Sequence, residues 1–254
     1  MYSILHRLRS AFVLVPVLAL FLAAAARANP TDERVYKDTM PSVAWVVTPD
    51  GYGTGTLVNL NGKSLVLTAG HVVEDYPAVA LVFPVKDEHG RYITDPTYYE
   101  KHPEGVAVRG RVVSRDARRD LALIQPERLP EGARPLELAP ADPGRGDTVF
   151  LVGHSGPFNG DLWYYRGARV VGVSQEAVAT VDGGHFEATM LDIDGYADHG
   201  DSGGPVFDTQ GRVVGIISTG DNSHLVLHAI DADEVRALMP GRPAHGGGIT
   251  LPKF

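Results

Sequence analysis

The sequence predicts an all-β protein, and three observations support that prediction. Short apolar stretches alternate with turn residues along the chain, which is typical of β-strands. Only one segment has a clear helical pattern. A segment rich in proline and glycine, residues 127–147, divides the predicted strands into two sets and is therefore predicted to be a linker. Two antiparallel barrels fit this pattern, and β-sandwiches remain an alternative at this point.

The first set of strands occupies residues 41–126. Its clearest hairpin turn is Asn61-Gly62, a dipeptide favoured in two-residue turns between strands. The predicted strands are Ser42–Thr48, Gly53–Leu60, Ser64–Leu67, Val79–Val85, Val106–Ser114 and Leu121–Gln125. The polar segment Lys86–Glu104 is predicted to be a loop.

The second set occupies residues 148–239 and ends in the one predicted helix, Asp231–Met239. Asp231 is the predicted N-cap, and Glu234 three residues later fits a capping box. The predicted strands are Thr148–Gly153, Tyr164–Ser174, Ala177–Val181, His185–Leu191, Pro205–Asp208, Val213–Ser218 and His224–Ile230. Residues 240–254 are expected to be a flexible tail with no further folded domain.

The first 28 residues have the composition of a secretory signal peptide. A basic start precedes the apolar run Ala11–Ala25, and Ala26–Ala28 fits a small-x-small cleavage site. A membrane anchor is the alternative, but this run is shorter than the about 20 residues that span a bilayer. We therefore expect cleavage after Ala28, a secreted or periplasmic protein without stable membrane association, and a polar N-terminal arm over residues 29–40.

Composition and charge narrow the classes of function. The chain has no cysteine, which excludes disulfide frameworks and metal–thiolate sites. The first 28 residues hold three of the 23 Lys and Arg residues and none of the 31 acidic residues, so the remainder carries a net charge of −11. Such an acidic chain argues against nucleic acids and anionic membranes as partners. The pattern gives no oligomeric state.

One stretch concentrates the chemistry: residues Gly200–Pro205 read Gly-Asp-Ser-Gly-Gly-Pro. Ser202 lies between small residues that let a substrate backbone approach. The turn can also aim the N–H groups of Gly200 and Ser202 at a developing oxyanion. A serine hydroxyl is a weak nucleophile and needs a base that a third group orients. His71, which follows a predicted strand, and Asp120, which opens one, can supply both.

These three segments resemble the trypsin/chymotrypsin-like serine proteases, in which histidine, aspartate and serine follow in that order along the chain. The resemblance covers about residues 41–239. It implies two antiparallel six-stranded β-barrels with the active site in the cleft between them. It also implies an endopeptidase that cleaves polypeptides through an acyl-enzyme, with no cofactor and no metal. The lack of cysteine suits the bacterial branch, and the protease domains of HtrA-type and glutamyl-endopeptidase-like enzymes are the most similar, here without a PDZ domain.

The resemblance implies a role for each residue. His71 takes the proton from Ser202 and passes it to the leaving amine, while Asp120 fixes the imidazole. Gly200 and Ser202 donate backbone N–H groups to the oxyanion. Asp116 competes with Asp120, but it lies among arginines that are typical of a solvated loop.

Other residues depart from the family pattern. His154 lies in a glycine-rich stretch but does not fit the family order, so it is interpreted as a loop residue. The activated Ile-Val-Gly-Gly start of animal trypsins is absent, and Arg34-Val35 is only a conceivable cut. We therefore expect an enzyme that needs no activating cut, in which Asp201 requires a partner other than a new N-terminus.

Family spacing places the base of the specificity pocket at Tyr196 and one wall at Ser218, Thr219 and Gly220. Leu225 is the expected further wall residue. Because Tyr196 supplies no anion for a buried cation, we expect apolar or small side chains before the scissile bond rather than Lys or Arg.

Alternatives remain at the pocket and for the function. Asp198 would reach the pocket base only if the alignment shifted by two residues, and it would then favour cations. His224 and His228 could bind an acidic side chain or be ordinary strand residues. A non-catalytic peptide-binding module on a protease fold, and an esterase with the same three residues, are the alternative functions.

Overall fold

The computed structural model describes residues 30–154, 160–179 and 185–238, which form two closed antiparallel β-barrels of six strands each. The strands of the first barrel are β1 Val43–Val47, β2 Tyr52–Leu60, β3 Lys63–Ala69, β4 Ala78–Val82, β5 Ala107–Asp116 and β6 Leu121–Pro126. Those of the second are β7 Thr148–Gly153, β8 Tyr164–Ala179, β9 His185–Asp194, β10 Pro205–Phe207, β11 Val213–Asp221 and β12 Val226–Asp231. The chymotrypsin-like architecture expected from the resemblance is confirmed.

Each barrel closes around its own apolar core. The order of strands is β1-β2-β3-β6-β5-β4 in the first and β10-β11-β12-β9-β8-β7 in the second. Side chains such as Leu57 and Ile124 fill the first core, and Leu151 and Leu191 fill the second. A third cluster that includes Leu67 and Phe207 joins the two barrels. Burial of each such side chain stabilises the fold by about 1.5–3 kcal/mol.

The segment expected as a polar arm is instead a helix, α1, over Pro30–Thr39. Val35 is fully buried, and the Tyr36 ring packs edge-on against Tyr165 of β8 at 5.2 Å. The Arg34 guanidinium donates to the carbonyl of Thr209 at 2.6 Å. Because Val35 is buried within a helix, the Arg34-Val35 bond is not offered to an activating protease in this fold.

The prediction of a loop over Lys86–Glu104 is wrong, because two short helices lie there or begin there: α3 Pro96–Lys101 and α4 Pro103–Val106. Asp95 caps α3 by accepting a hydrogen bond from the N–H of Thr97 at 2.8 Å. Proline at the first helical position after an Asp cap is a helix-start signal, which the polar composition of the segment obscured.

The predicted C-terminal helix is present as α5, Ala232–Ala237, and Asp231 is its N-cap with a bond of 2.9 Å from the N–H of Glu234. The capping-box prediction fails in its second half. The Glu234 carboxylate binds Arg119 of the first barrel at 2.7 Å and the N–H of Thr189 at 3.1 Å. Glu234 therefore ties the helix to the loop that precedes β6.

The predicted strand Tyr164–Ser174 and the described part of the predicted strand Ala177–Val181 belong to the single strand β8, which pairs with β9 as far as Ala179. Residues 180 and 181 lie outside the described residues. The linker runs between the barrels, where Leu136 bridges to Val58 and Leu138 bridges to Val213. The predicted signal peptide and tail lie outside the described residues. Within the described ranges, every helix is too short or too polar to cross a bilayer.

Candidate active site

The segment that carries His71 is packed directly against the one that carries Asp120. β3 ends at Ala69, and the short helix α2, Gly70–Val73, places His71 in its first turn. A Cβ atom on Gly70 would lie 3.2 Å from the carboxylate of Asp120, so glycine lets the two segments approach. The N–H of Gly70 donates to the backbone carbonyl of Asp120 at 2.8 Å.

The Asp120 carboxylate is 4% exposed and accepts from three donor groups. Nδ1 of His71 lies 2.9 Å from Oδ2 and 3.1 Å from Oδ1, and the backbone N–H of His71 donates to Oδ1 at 2.9 Å. The Ser218 hydroxyl donates to Oδ2 at 2.6 Å. A carboxylate accepts and does not donate, so the His71 proton lies on Nδ1 and Nε2 carries the lone pair.

Asp120 also controls the basicity of His71. Burial lowers the pKa of His71, but the hydrogen bond and the negative charge of Asp120 outweigh that effect, and the net pKa shift is upward. Glu74 adds to the upward shift of the pKa, and Arg115 opposes it. The imidazole is therefore a stronger proton acceptor than an isolated histidine.

Asp116, the competing carboxylate, lies elsewhere. Its Oδ2 pairs with the Arg119 guanidinium at 2.7 Å, and its Oδ1 accepts from the N–H groups of Arg118 and Arg119. The structure brings Asp120 to His71 and holds Asp116 at the end of β5.

Ser202 lies in a tight turn between β9 and β10. Gly200 and Gly203 have φ values of +98° and +83°, a region that glycine adopts without strain. A Cβ on Gly203 would overlap the carbonyl oxygen of Thr54. The Ser202 hydroxyl donates to the carbonyl of Ser218 at 3.2 Å and lines the same cleft as His71.

The N–H groups of Gly200 and Ser202 make no hydrogen bond to any residue that the structure describes. Asp201 between them is 4% exposed, and its Oδ2 accepts from the N–H of Asp198 at 3.1 Å. The partner that Asp201 was expected to need is thus, at least in part, the backbone of its own turn. A Cβ on Gly153 would overlap Asp201, so this glycine gives the carboxylate room.

A cleft with a volume of about 160 Å³ opens beside Ser202. None of its lining residues belongs to β11 or to the segment 196–198. The cleft therefore lies beside His71 and does not include the expected specificity pocket. Its lining residues are Thr48, Asp50, Gly51, Tyr52, His71, Val72, Glu74, Tyr76, His199, Gly200 and Ser202.

The expected specificity pocket is narrow. Ala197 lies against Gly220 so closely that a Cβ on Gly220 would be 2.7 Å from the Cβ of Ala197. The Asn222 side chain accepts from the N–H of Ala197 at 3.1 Å and donates to its carbonyl at 2.9 Å. Asn222 was not expected at the site, and only the three-dimensional pairing of these loops reveals it. Ser218, expected only as a wall residue, also donates its hydroxyl to Asp120.

A cation lies next to the expected pocket base. The Arg166 guanidinium donates to the Tyr196 carbonyl at 2.6 Å and lies 5.2 Å from the centre of the Tyr196 ring. Asp198 is exposed, and its carboxylate accepts from the N–H of His199 at 2.8 Å. Leu225 is 61% exposed.

Both histidines named as alternative specificity residues already have carboxylate partners. His224 lies in the turn before β12, with Nδ1 2.7 Å from Asp221. His228 lies 2.9 Å from Asp192, which also accepts from Ser174. These carboxylates disfavour the binding of a second anion at either histidine.

His154 lies in the loop after β7, as interpreted from the sequence, but it is buried and makes a contact that the sequence does not reveal. It directly follows β7 and is 3% exposed, and burial lowers its pKa to about 3. Its Nδ1 lies 2.7 Å from the Thr54 hydroxyl oxygen. Sequence reasoning missed Thr54 altogether, because a threonine within an apolar strand gives no signal of its own.

No group of three or more His, Cys, Asp or Glu side chains in the described ranges could hold a metal ion. The site consists of protein groups from both barrels. His71 and Asp120 come from the first barrel, and Ser202 and Ser218 come from the second.

Comparisons with known proteins agree with this architecture. The family model for the trypsin-like peptidase domain matches residues 53–216. The chain is 25% identical over 198 residues to the serine protease Do-like HtrA of Bacillus subtilis (strain 168), a match that covers 75% of this chain and 39% of the relative. The chain thus spans about two fifths of the length of that curated relative.

Two solved structures show the same fold. The Rv3671c protease from M. tuberculosis in its active form has a TM-score of 0.63 and 22% identity, and the match covers 82% of this chain and 85% of that one. The serine endoprotease from Yersinia pestis has a TM-score of 0.58 and 16% identity, over 84% and 66% of the two chains. Because the family model spans residues 53–216, more than half of the chain, the chain belongs to the trypsin-like peptidase family.

Proposed function

We propose that this protein hydrolyses peptide bonds with Ser202 as nucleophile, His71 as general base and acid, and Asp120 as the group that orients His71. The observation that carries the proposal is the buried Asp120 carboxylate, which holds Nδ1 of His71 at 2.9 Å in the cleft that Ser202 also lines. This arrangement leaves Nε2 as the proton acceptor on the side of the nucleophile.

The reaction runs in two half-reactions. His71 Nε2 takes the hydroxyl proton as Ser202 Oγ attacks the carbonyl carbon, and the same proton passes to the amine nitrogen as the C–N bond breaks. Water then attacks the acyl-enzyme, gives its proton to Nε2, and releases the acid as the proton returns to Oγ. Asp120 stabilises the imidazolium in both steps.

Attack requires a change of rotamer at Ser202. The hydroxyl donates to the carbonyl of Ser218 in this conformation, and rotation about Cα–Cβ turns it towards His71. The N–H groups of Gly200 and Ser202 are the proposed oxyanion donors. The loss of one such donor typically lowers the rate by about 10²–10³-fold.

The substrate is proposed to be an extended polypeptide. In the described part of the chain, β10 pairs with β11 only as far as Ile216, so the edge from Ser218 to Gly220 has no second strand neighbour. An extended peptide can add to that edge by main-chain hydrogen bonds. Its side chain before the scissile bond then points towards Tyr196. The contact of Ala197 with Gly220 favours a small side chain, and Arg166 beside Tyr196 disfavours Lys and Arg.

Export is a further part of the proposal. It is supported by the composition of the first 28 residues and by a helix that begins at Pro30, just beyond the expected cleavage site. Burial of Val35 supports a mature form that needs no cut at Arg34-Val35. N-terminal sequencing of the active protein from each cell fraction tests both points, and we expect a start at Asn29 outside the cytoplasm. Active protein that stays in the cytoplasm with Met1 retained would contradict export, and a start at Val35 would contradict a mature form without an activating cut.

A serine-reactive fluorophosphonate probe tests the central proposal. Ser202 of the wild type should be labelled, Ser202→Ala should not be labelled, and only the wild type should hydrolyse an unstructured protein such as casein. Ser223→Ala, which changes an exposed serine outside the cleft, is the matched control and should behave as the wild type. Labelling of Ser202→Ala at a different serine, or equal turnover by the two proteins, would contradict the proposal.

A further inference from the structure

Thr54 of β2 holds both ends of the turn that carries the nucleophile. Its backbone N–H donates to the carbonyl of Ser202 at 2.8 Å, and its hydroxyl donates to the carbonyl of Gly200 at 2.6 Å. Thr54 is fully buried. A single residue of the first barrel therefore fixes the start and the end of the three-residue span that carries both proposed oxyanion donors.

His154 of the second barrel fixes the direction of the Thr54 hydroxyl. That hydroxyl has one proton, and the Gly200 carbonyl can only accept, so the proton points at Gly200. At the 2.7 Å contact with His154 the Thr54 oxygen must then accept, which places the imidazole proton on Nδ1. Because burial lowers the pKa of His154 to about 3, the imidazole stays neutral near neutral pH and keeps this arrangement.

The surroundings of Nε2, the other ring nitrogen of His154, indicate why a histidine is needed here. Nε2 of His154 is buried, and it has no hydrogen-bond partner among the residues that the structure describes. The ring packs edge-on against Trp163 at 5.1 Å, an apolar contact that an aromatic hydrocarbon would make equally well. A buried polar atom without a partner is unfavourable. Packing alone therefore does not explain a histidine at this position, whereas the hydrogen bond from Nδ1 of His154 to the Thr54 hydroxyl does.

We propose that Thr54 and His154 are positioning residues that orient the oxyanion donors of Gly200 and Ser202 across the cleft between the barrels. This inference rests on the proposed function. Neither residue is among those that line the cleft, and each acts through the backbone of the nucleophile turn. Gly200, at φ +98°, is free of a side chain that would restrict it, so its carbonyl needs an external anchor. An oxyanion site accelerates a reaction only if its donors are aligned before the charge develops.

The test compares Thr54→Val with Thr56→Val. Valine keeps the shape of threonine and removes the hydroxyl. Thr56 is the matched control because it lies on the same strand, is fully buried, and has a hydroxyl with no partner in the described residues. We expect Thr54→Val to lower kcat by about 10–100-fold with KM within about twofold, in keeping with partial loss of oxyanion stabilisation. Thr56→Val should retain wild-type kcat, and Thr54→Ser should recover most of it.

A peptidyl aldehyde provides a readout that a purely structural role would not change. Its hemiacetal with Ser202 places an oxygen where the oxyanion forms, so Thr54→Val should weaken its binding by about the same factor as kcat. Thermal unfolding of each variant verifies that the compared proteins are folded. Should Thr54→Val not fold, His154→Phe serves instead, with His154→Asn as the variant that retains a donor near the position of Nδ1.

The outcomes are distinct. If Thr54→Val, or His154→Phe in its place, matches the control in kcat and in aldehyde affinity while the wild type turns over substrate, the positioning role is wrong and the proposed function stands. If the wild type neither hydrolyses casein nor reacts with the fluorophosphonate, the proposed function fails and this inference fails with it. A fall in kcat with unchanged aldehyde affinity would also contradict the inference, because the oxyanion site would then be intact.

Discussion

On the first barrel, the Asp120 carboxylate receives three donor groups within 2.6–3.1 Å, and the result is one oriented imidazole. On the second barrel, Ser202 lies in a glycine turn whose carbonyls are held by neutral bonds from Thr54. Both halves are braced from the opposite barrel, the first through Ser218 and the second through Thr54. The difference lies in the kind of bond, since bonds to a charged group are roughly twice as strong as neutral ones.

This comparison indicates where substitutions should have most effect. The part of the site that transfers protons depends on one buried charge, the Asp120 carboxylate. Removal of that charge changes both the tautomer and the pKa of His71. The turn that holds Ser202 depends on weaker bonds to backbone carbonyls, each of which contributes to the orientation of the turn. The largest expected effect is therefore on the first half.

Asp120→Asn should lower kcat by about 10⁴-fold, because an amide can stabilise the wrong tautomer of the imidazole and cannot stabilise the imidazolium. It should also shift the acid limb of the pH profile, which is the fall of kcat/KM at low pH. His71 must be neutral to act as a base, so activity falls as the pH drops through its pKa. Asp120 holds the pKa of His71 above its ordinary value, and the limb should shift to lower pH in the variant. Steady-state kinetics across pH measure both effects.

Asp116→Asn is the matched control, since Asp116 carries the same charge four residues away and pairs with Arg119 rather than His71. It should leave the acid limb in place. An acid limb that does not move in Asp120→Asn would mean that another group titrates in that range.

Glu234→Gln should weaken the ion pair that joins helix α5 to the loop before β6, and it removes no catalytic group. Glu234 binds Arg119, which directly precedes Asp120, and both ionic side chains are at most 20% exposed. Loss of the ionic bond should destabilise the protein by about 1–2 kcal/mol, since hydrogen bonds to charged groups are typically worth about 1.5–3 kcal/mol and glutamine retains part of the bond. Thermal unfolding should show a decrease in Tm of about 2–4 °C per kcal/mol.

Glu187→Gln serves as the comparison for Glu234→Gln. Glu187 pairs with Arg118 at 3.5 Å, and both side chains are about 70% exposed. Exposed pairs of this kind contribute little, so the change should stay within about 0.5 kcal/mol. An equal loss of stability in the two variants would show that the Glu234–Arg119 ion pair does not stabilise the protein more than an exposed pair does.

The fold could be predicted because the strand pattern and the Gly200–Pro205 motif are local signals. Two barrels, the strands of the first set and the helix after Asp231 were expected close to their observed bounds. The helix α1 was not, because its apolar residues are few and only packing against Tyr165 and the barrels explains its burial. β8 was divided in two because polar residues near Gln175 resemble a turn, although β9 pairs across them.

The candidate site divides in the same way. His71, Asp120 and Ser202 lie in recognisable segments, so their proximity could be anticipated. The roles of Thr54 and His154 could not be anticipated, because His154 contacts Thr54 across 100 residues of sequence and Thr54 contacts Gly200 across 146. The second role of Ser218 was hidden for the same reason, since a hydroxyl has no sequence signal for the carboxylate that it will meet.

The smallest expected effect concerns the specificity pocket, where Asn222 holds Ala197 against Gly220 through two side-chain bonds. Asn222→Ala removes both bonds and frees Ala197 to move away from β11, which should widen the pocket. We expect kcat/KM for a leucine substrate to rise about threefold to tenfold relative to a matched alanine substrate, since pocket size discriminates by about 1–3 kcal/mol per methylene. Asn222→Asp, which keeps the acceptor for the N–H of Ala197 and loses the donor, should fall between the two. A lysine substrate should remain poor in all three proteins, because Arg166 still lies beside Tyr196. A ratio that does not change in Asn222→Ala would mean that Ala197 is held by its own backbone turn, and a gain confined to lysine would instead show that Asp198 has moved into the pocket.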